Sequence, residues 1–195
     1  MNPIQEFFDS RARDWDTSCP HDHRKIETLL SLAPPPEGGK VLDAACGTGV
    51  LLPHLLARKP KELWGVDLSP NRIGRAAEKY ADPRLTLRAC DLFDFSEGEF
   101  DEIILYSAYP HFQDRPRLVR HLARLLKPGG RLLIAHSEGR EVINGRHSGA
   151  ASAISWPLQS VWTEREALLP CFTVDLCVDT PSYFLLSGVT GSSHL

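Results

Sequence analysis

The sequence contains no apolar run approaching the roughly 20 residues that a membrane-spanning helix needs. It has little excess of either charge: 22 lysines and arginines stand against 25 aspartates and glutamates, a formal charge of −3. That balance excludes a global field able to attract nucleic acid or an anionic membrane. Cysteines are few, and none form a CxxC pair. Cys19, Cys46, Cys90, Cys171 and Cys177 are odd in number and widely spaced, which argues against a disulfide framework or closed zinc site and for a reducing, cytoplasmic setting. Residues 1–16 mix acids and bases without an apolar stretch, so no secretory signal is expected. Repeats of fixed period and low-complexity tracts are also missing. What remains is an ordinary globular composition over 195 residues, with 42 % hydrophobic and 24 % charged residues. This excludes disorder as the main state and predicts one domain over 1–195.

Three prolines and two glycines in APPPEGGK (33–40) stop any helix. Before them, residues 4–15 and 22–32 read as short helices, the second capped by Asp22, within an N-terminal helical cap over 1–37. After them, strands are expected at 41–46, 62–68, 85–92, 100–108 and 131–137. Helices are expected over 48–58 and 70–80, and again after Asp114. In that last helix Leu118, Val119, Leu122, Leu125 and Leu126 make one apolar stripe. Nearly all-apolar strands alternating with helices describe an α/β fold with a parallel sheet covered on both faces. Residues 173–179 and 183–189 read as an antiparallel hairpin closing it. The weakly periodic stretch 138–162 reads as a lid or insert over one end of the sheet.

In such sheets ligands bind at the carboxyl ends of the strands, so the residues there carry the chemistry. The first strand ends in Asp43-Ala44-Ala45-Cys46-Gly47-Thr48-Gly49, where glycines allow backbone to approach a ligand. A dinucleotide fingerprint fails because Leu52 stands where a small residue is needed, which disfavours an NAD-dependent oxidoreductase. Asp67 ends the second strand, eighteen residues past Gly49, where a carboxylate can accept both hydroxyls of a ribose. Asp91 ends the third and can accept from an exocyclic amino group. Each aspartate by itself also suits a helix cap or turn. Three at the ends of successive strands form a pattern.

VLDAACGTGVLLPHL, GVDLSP, ACDLFDF and FDEIILYSAYPHFQDRPRLVRHLARLLKPGGRLLI together resemble the class I S-adenosylmethionine-dependent methyltransferases, in their small-molecule, ubiquinone/menaquinone-type branch. The resemblance covers 41–137 strongly, with Ala45 where the family more often has glycine. It implies a Rossmann-like, doubly wound seven-stranded sheet with strands 1–5 parallel and a C-terminal antiparallel hairpin. It implies S-adenosylmethionine as cofactor and S-adenosylhomocysteine as product. Asp43, Ala45, Cys46, Gly47, Thr48 and Gly49 would then line the methionine moiety, and Asp67 would hold the ribose. Asp91 would read the adenine, Leu68 and Leu92 would pack on the base, and Tyr106 and Trp15 would border the cofactor.

Tyr109 and His111 follow the fourth strand, where the family brings methyl and acceptor together. His111 is therefore a candidate general base, the alternative being a pocket wall. His136, Arg140 and His147 are candidate acceptor-binding residues, able to meet an anion or simply to be solvated. Cys19-Pro20-His21-Asp22-His23 concentrates ligand-type side chains but matches no standard zinc motif, and no metal is expected. The expected function is methyl transfer to a small molecule by a monomer or homodimer, without nucleic-acid or membrane partners. The alternative is cofactor binding without transfer, as a sensor or complex subunit. A metal- or metalloid-linked methyltransferase is a further variant of the first reading.

Overall fold

The strands are β1 (Lys40–Ala44), β2 (Glu62–Asp67), β3 (Leu85–Ala89), β4 (Phe100–Tyr106), β5 (Leu126–His136), β6 (Phe172–Asp179) and β7 (Phe184–Thr190). In the computed structural model, which describes residues 2–147 and 149–191, they form one sheet in the order β3-β2-β1-β4-β5-β7-β6. Parallel pairing runs from β3 to β5, and β7 is antiparallel to both β5 and β6. This is the doubly wound, seven-stranded architecture that the family resemblance implies. Of the expected 1–195 domain, residues 1, 148 and 192–195 lie outside the described residues, residue 148 falling in the expected 138–162 segment.

Side chains alternate along each strand, so neighbours enter opposite cores. Leu42, Ile103 and Leu132 belong to one apolar cluster, whereas Val41, Ile104 and Leu133 belong to the other. Near-continuous apolar runs are what a sheet covered on both faces requires. Its order reverses at β1, which pairs with both β2 and β4 and thereby opens a crevice at their carboxyl ends.

The helices are α1 (Pro3–Asp9), α2 (Trp15–Ser18), α3 (His23–Leu32), α4 (Leu52–Leu56), α5 (Pro70–Lys79), α6 (Arg115–Leu125), α7 (Arg140–Arg146) and α8 (Val161–Leu168). Asp22 caps α3 by accepting from the amides of Arg24 and Lys25, and Ser69 and Asp114 cap α5 and α6 in the same way. The expected 4–15 helix is broken. Asp9 turns to the start of α5, where its carboxylate accepts from the Ser69 hydroxyl and the Asn71 amide, and a 3₁₀ turn (Ala12–Asp14) then leads into α2. The expected 48–58 helix contracts to α4, because Gly47 (φ 57°) and Gly49 (φ 87°) hold the preceding residues in left-handed turns. Strand β3 ends at Ala89, not 92, because the Asp91 side chain accepts from Phe93 N and starts a 3₁₀ turn. Strand β5 begins five residues earlier than expected, at Leu126. Residues 138–162 hold α7 and a 3₁₀ stretch (Gly149–Ile154) and run into α8. The sequence conceals α8 because its buried face carries Glu164 beside Val161 and Leu168.

Candidate functional site

The carboxyl ends of β1 to β4 open into a cavity of about 710 Å³. From β1 and its loop come Asp43, Ala45, Cys46 and Thr48; from β2, Asp67 and Leu68; from the end of β3, Asp91 and Leu92. Tyr106 faces it from β4, and Trp15 from the N-terminal segment. Gly47 and Gly49, expected to line the cofactor, do not line the cavity; a side chain on Gly47 would meet the Arg72 guanidinium and one on Gly49 the Leu52 side chain. The three strand-end aspartates expected from the sequence therefore meet at one cavity.

Their chemistry differs. Asp67 Oδ2 accepts from Gly47 N at 2.8 Å and Oδ1 from Ser69 N at 2.9 Å, which pins the glycine loop while leaving further lone pairs. Asp43 is buried, and its Oδ2 has no hydrogen-bond partner. Burial, reinforced by the nearby Asp67, raises its carboxyl well above the ordinary range. Burial likewise raises the Cys46 thiol, making it a poor nucleophile. Ala45 (φ 58°) at the end of β1 and Ser107 (φ 52°) at the end of β4 both hold left-handed conformations that cost energy without glycine. The extra methyl of Ala45 is thus accommodated with backbone strain.

The N-terminal segment is tied to this loop. Asp16 accepts from the Thr48 hydroxyl and from Lys79 Nζ at 2.6 Å. Burial opposes ionisation of Asp16, but these two bonds outweigh it and lower its pKa. His21 Nδ1 lies 2.9 Å from the Tyr106 hydroxyl, which also meets Ser137 Oγ at 2.8 Å. His23 instead turns to His54, so the Cys19–His23 cluster disperses. Among the described residues no three His, Cys, Asp or Glu side chains are placed to hold a metal ion.

His111, His136 and His147 line the far side of the cavity, and the rings of His111 and His147 lie 5.0 Å apart, edge to face. His111 Nδ1 is 3.0 Å from the Ile154 carbonyl oxygen. Burial lowers His111 to about 4 and His136 to about 3, and lowers His147 as well. Burial therefore favours the neutral imidazole in all three.

Two further expected site residues are elsewhere. Tyr109 is fully buried and does not line the cavity; its hydroxyl donates to Glu164 Oε2 at 3.3 Å. The 3₁₀ turn Tyr109–His111 sends successive side chains in different directions, so only His111 of this pair reaches the cavity. Arg140 lies off the cavity and pairs with Asp179 at 3.3 Å. Sequence reasoning missed Arg72, Phe8 and Trp156, which do line it. The apolar residues Ile4, Phe7 and Phe8 of α1 were the available signal for Phe8.

Residues 42–134 match the family model described as a methyltransferase domain. The chain is 33 % identical over 144 residues to a ubiquinone biosynthesis O-methyltransferase of Methylococcus capsulatus, covering 67 % of this chain and 59 % of that protein. It is 31 % identical over 137 residues to the methyltransferase GfsG of Streptomyces halstedii, covering 67 % of this chain and 48 % of that protein. The chain spans about two fifths to three fifths of the length of these and other curated relatives. In fold it is similar to a Haloferax volcanii methyltransferase solved with the Trm112 activator, at a TM-score of 0.79 and 19 % identity over 98 % of this chain and 99 % of the other. Domain match, relatives and fold agree: the chain belongs to the class I S-adenosylmethionine-dependent methyltransferase family.

Proposed function

We propose that this chain binds S-adenosylmethionine across the ends of β1 to β3 and transfers its methyl group to a small-molecule acceptor, leaving S-adenosylhomocysteine. The observation that carries the reading is the convergence of Asp43, Asp67 and Asp91 on one cavity beside a left-handed glycine turn. The residues fit the cofactor. The buried, unpartnered Asp43 Oδ2 suits a cationic amino group, and Asp67 retains lone pairs for ribose hydroxyls. Asp91, with Leu68 and Leu92, offers an acceptor and apolar walls for a base. Bound there, the cofactor supplies an electrophilic methyl on sulfonium, and the protein's task is to align and desolvate.

Residues 1–37 act as a cap and 138–162 as a lid. Phe8 and Trp15 from one, with His147 and Trp156 from the other, border the cavity, which favours a small acceptor over a macromolecule. The O-methyltransferase relative of ubiquinone biosynthesis supports the same choice. No helix among the described residues is long and apolar enough to cross a membrane. The five dispersed cysteines favour a reducing, cytoplasmic setting, in which we read the chain as a monomer or homodimer. Calorimetry with S-adenosylhomocysteine, followed by methyl release from labelled cofactor across a metabolite panel, tests it. Failure to bind S-adenosylhomocysteine overturns it, and binding without transfer to any acceptor favours a sensor or complex subunit.

A further inference from the structure

We propose that the outer face of α8 is a self-complementary interface, through which two copies of this chain associate about a two-fold axis with their α8 helices antiparallel. This surface is separate from the cofactor cavity, since no residue of α8 is among those that line it.

The helix has two faces. Val161, Glu164 and Leu168 are buried where α8 packs on α6, β6 and β7. Trp162, Arg165, Glu166 and Leu169 fall at i, i+3, i+4 and i+7, the spacing of a single helix stripe, and this stripe is turned away from the core. Leu169 caps the helix in helical conformation and so keeps the register. Trp162 is 66 % exposed and Leu169 40 %. One exposed leucine is ordinary, whereas an exposed tryptophan aligned with a leucine two turns away marks a contact surface.

The order of residues along the stripe identifies the occupant. It reads apolar, basic, acidic, apolar. A second copy laid antiparallel about the midpoint between Arg165 and Glu166 therefore brings Trp162 against Leu169 of the partner subunit, and Arg165 against Glu166 of the partner subunit. Two-fold symmetry makes both contacts reciprocal, so each forms twice. A parallel arrangement would instead set like charge against like charge. Among the described residues, Arg165 and Glu166 form an ion pair only with each other, at 3.6 Å. Adjacent residues on a helix do not face one another, so this exposed contact is readily exchanged for one across the axis.

The neighbouring sheet edge does not offer a competing route. Strand β6 is the last of the sheet, but its pairing with β7 shifts register between Val174 and Leu176, and Asp175 at that irregularity is held by Arg131 at 2.7 Å. Such a bulge breaks the regular ladder that strand-to-strand association needs. The helix face is small. Eight residues of α8 offer less than the about 800 Å² per partner of a standard stable interface. The dimer is accordingly a weak one, with a dissociation constant on the order of 10–100 µM.

Sedimentation velocity of the full chain from about 5 to about 500 µM is the test. The mass should climb from 21.7 kDa toward twice that value across the range. Trp162→Ser should weaken association by about tenfold or more, while S-adenosylhomocysteine affinity stays within about twofold because Trp162 lies off the cavity. Arg165→Glu sets glutamate against glutamate across the axis, and Glu166→Arg sets arginine against arginine, so each variant alone should remain monomeric. Mixed in equal amounts, the two variants are complementary at both positions and should associate about as well as the wild-type chain. Such recovery cannot come from altered folding, so it separates an interface from a merely structural role. The proposal is overturned by a wild-type chain that stays monomeric to the top of the range, by a dimer that Trp162→Ser leaves intact, or by a mixture that associates no better than either charge variant alone.

Discussion

The Arg72 guanidinium lies 3.7 Å from the Asp67 carboxylate and is covered on its other sides by the rings of Phe8 and Trp15, each 4.5 Å away. One side chain from α5 thus joins the N-terminal segment to the strand-end aspartate assigned to the ribose. Its side chain is 12 % exposed, so both ring contacts operate in a partly desolvated setting. Arg72→Ala should cost about 2 kcal/mol of stability. Its sharper effect should be local: amides of residues 3–18 should exchange faster, while those of β4 and β5 keep their protection. Equal acceleration across the sheet would show that Arg72 serves general stability and not the attachment of the cap.

Asp67 performs two tasks, which shapes the variant that tests it. Asp67→Ala would remove the acceptor for Gly47 N and Ser69 N together with any ribose contact. Asp67→Asn keeps an oxygen and removes the charge. It should weaken S-adenosylhomocysteine binding by about 1.5–3 kcal/mol, with the thermal midpoint falling by only a few degrees. Unchanged affinity by calorimetry would remove Asp67 from the cofactor site.

The sequence exposes the strand-end aspartates because strand position depends on local pattern: an apolar run, then Asp, then a cap or turn. Arg72 is illegible for the opposite reason, since its ring partners lie on a segment more than fifty residues away in sequence. The same holds for Tyr109. Its place after β4 is readable, but the direction its side chain takes from a 3₁₀ turn is set by Glu164, 55 residues later. The histidine wall falls between these cases. His111 and His136 are foreseeable from strand ends, while the Ile154 carbonyl that sets the His111 tautomer comes from a stretch with no readable periodicity.

Tyr109 is therefore predicted to be structural. With Arg115 it converges on the buried Glu164, and Arg115 also donates to the carbonyls of Trp156 and Pro157 at 3.0 Å. This cluster fixes the segment that carries the Ile154 carbonyl. Tyr109→Phe should cost about 1 kcal/mol and leave kcat within about twofold. Arg115→Leu, which strands a buried carboxylate, should cost about 3–5 kcal/mol. A hundredfold loss of kcat in a stably folded Tyr109→Phe chain would return the hydroxyl to the chemistry.

Stability should peak near pH 6.5, because buried groups of opposite kind act on the two sides of it. Burial lowers His111 to about 4 and His136 to about 3 from an ordinary 6.5. Below pH 6.5 the unfolded chain binds protons that the native imidazoles refuse, so stability is lost as pH falls from 6.5 toward 4. Glu102 works in the other direction. It is 1 % exposed, neither carboxyl oxygen has a hydrogen-bond partner, and burial raises it from 4.5 to about 8. Between these values the native carboxyl holds a proton that the unfolded chain has released, and stability falls as pH rises through about 8. Asp43, also raised by burial, adds to this alkaline side. At about 1.4 kcal/mol for each tenfold change in proton affinity, the Glu102 effect reaches several kcal/mol at pH 8. Glu102→Gln gives the site a permanently neutral side chain of nearly the same shape. It should leave the thermal midpoint at pH 5 almost unchanged, raise it clearly at pH 8, and flatten the decline between pH 6.5 and 8. Thermal unfolding across that range is the measurement. Parallel curves for wild type and variant would show that Glu102 is not the group whose ionisation limits stability there.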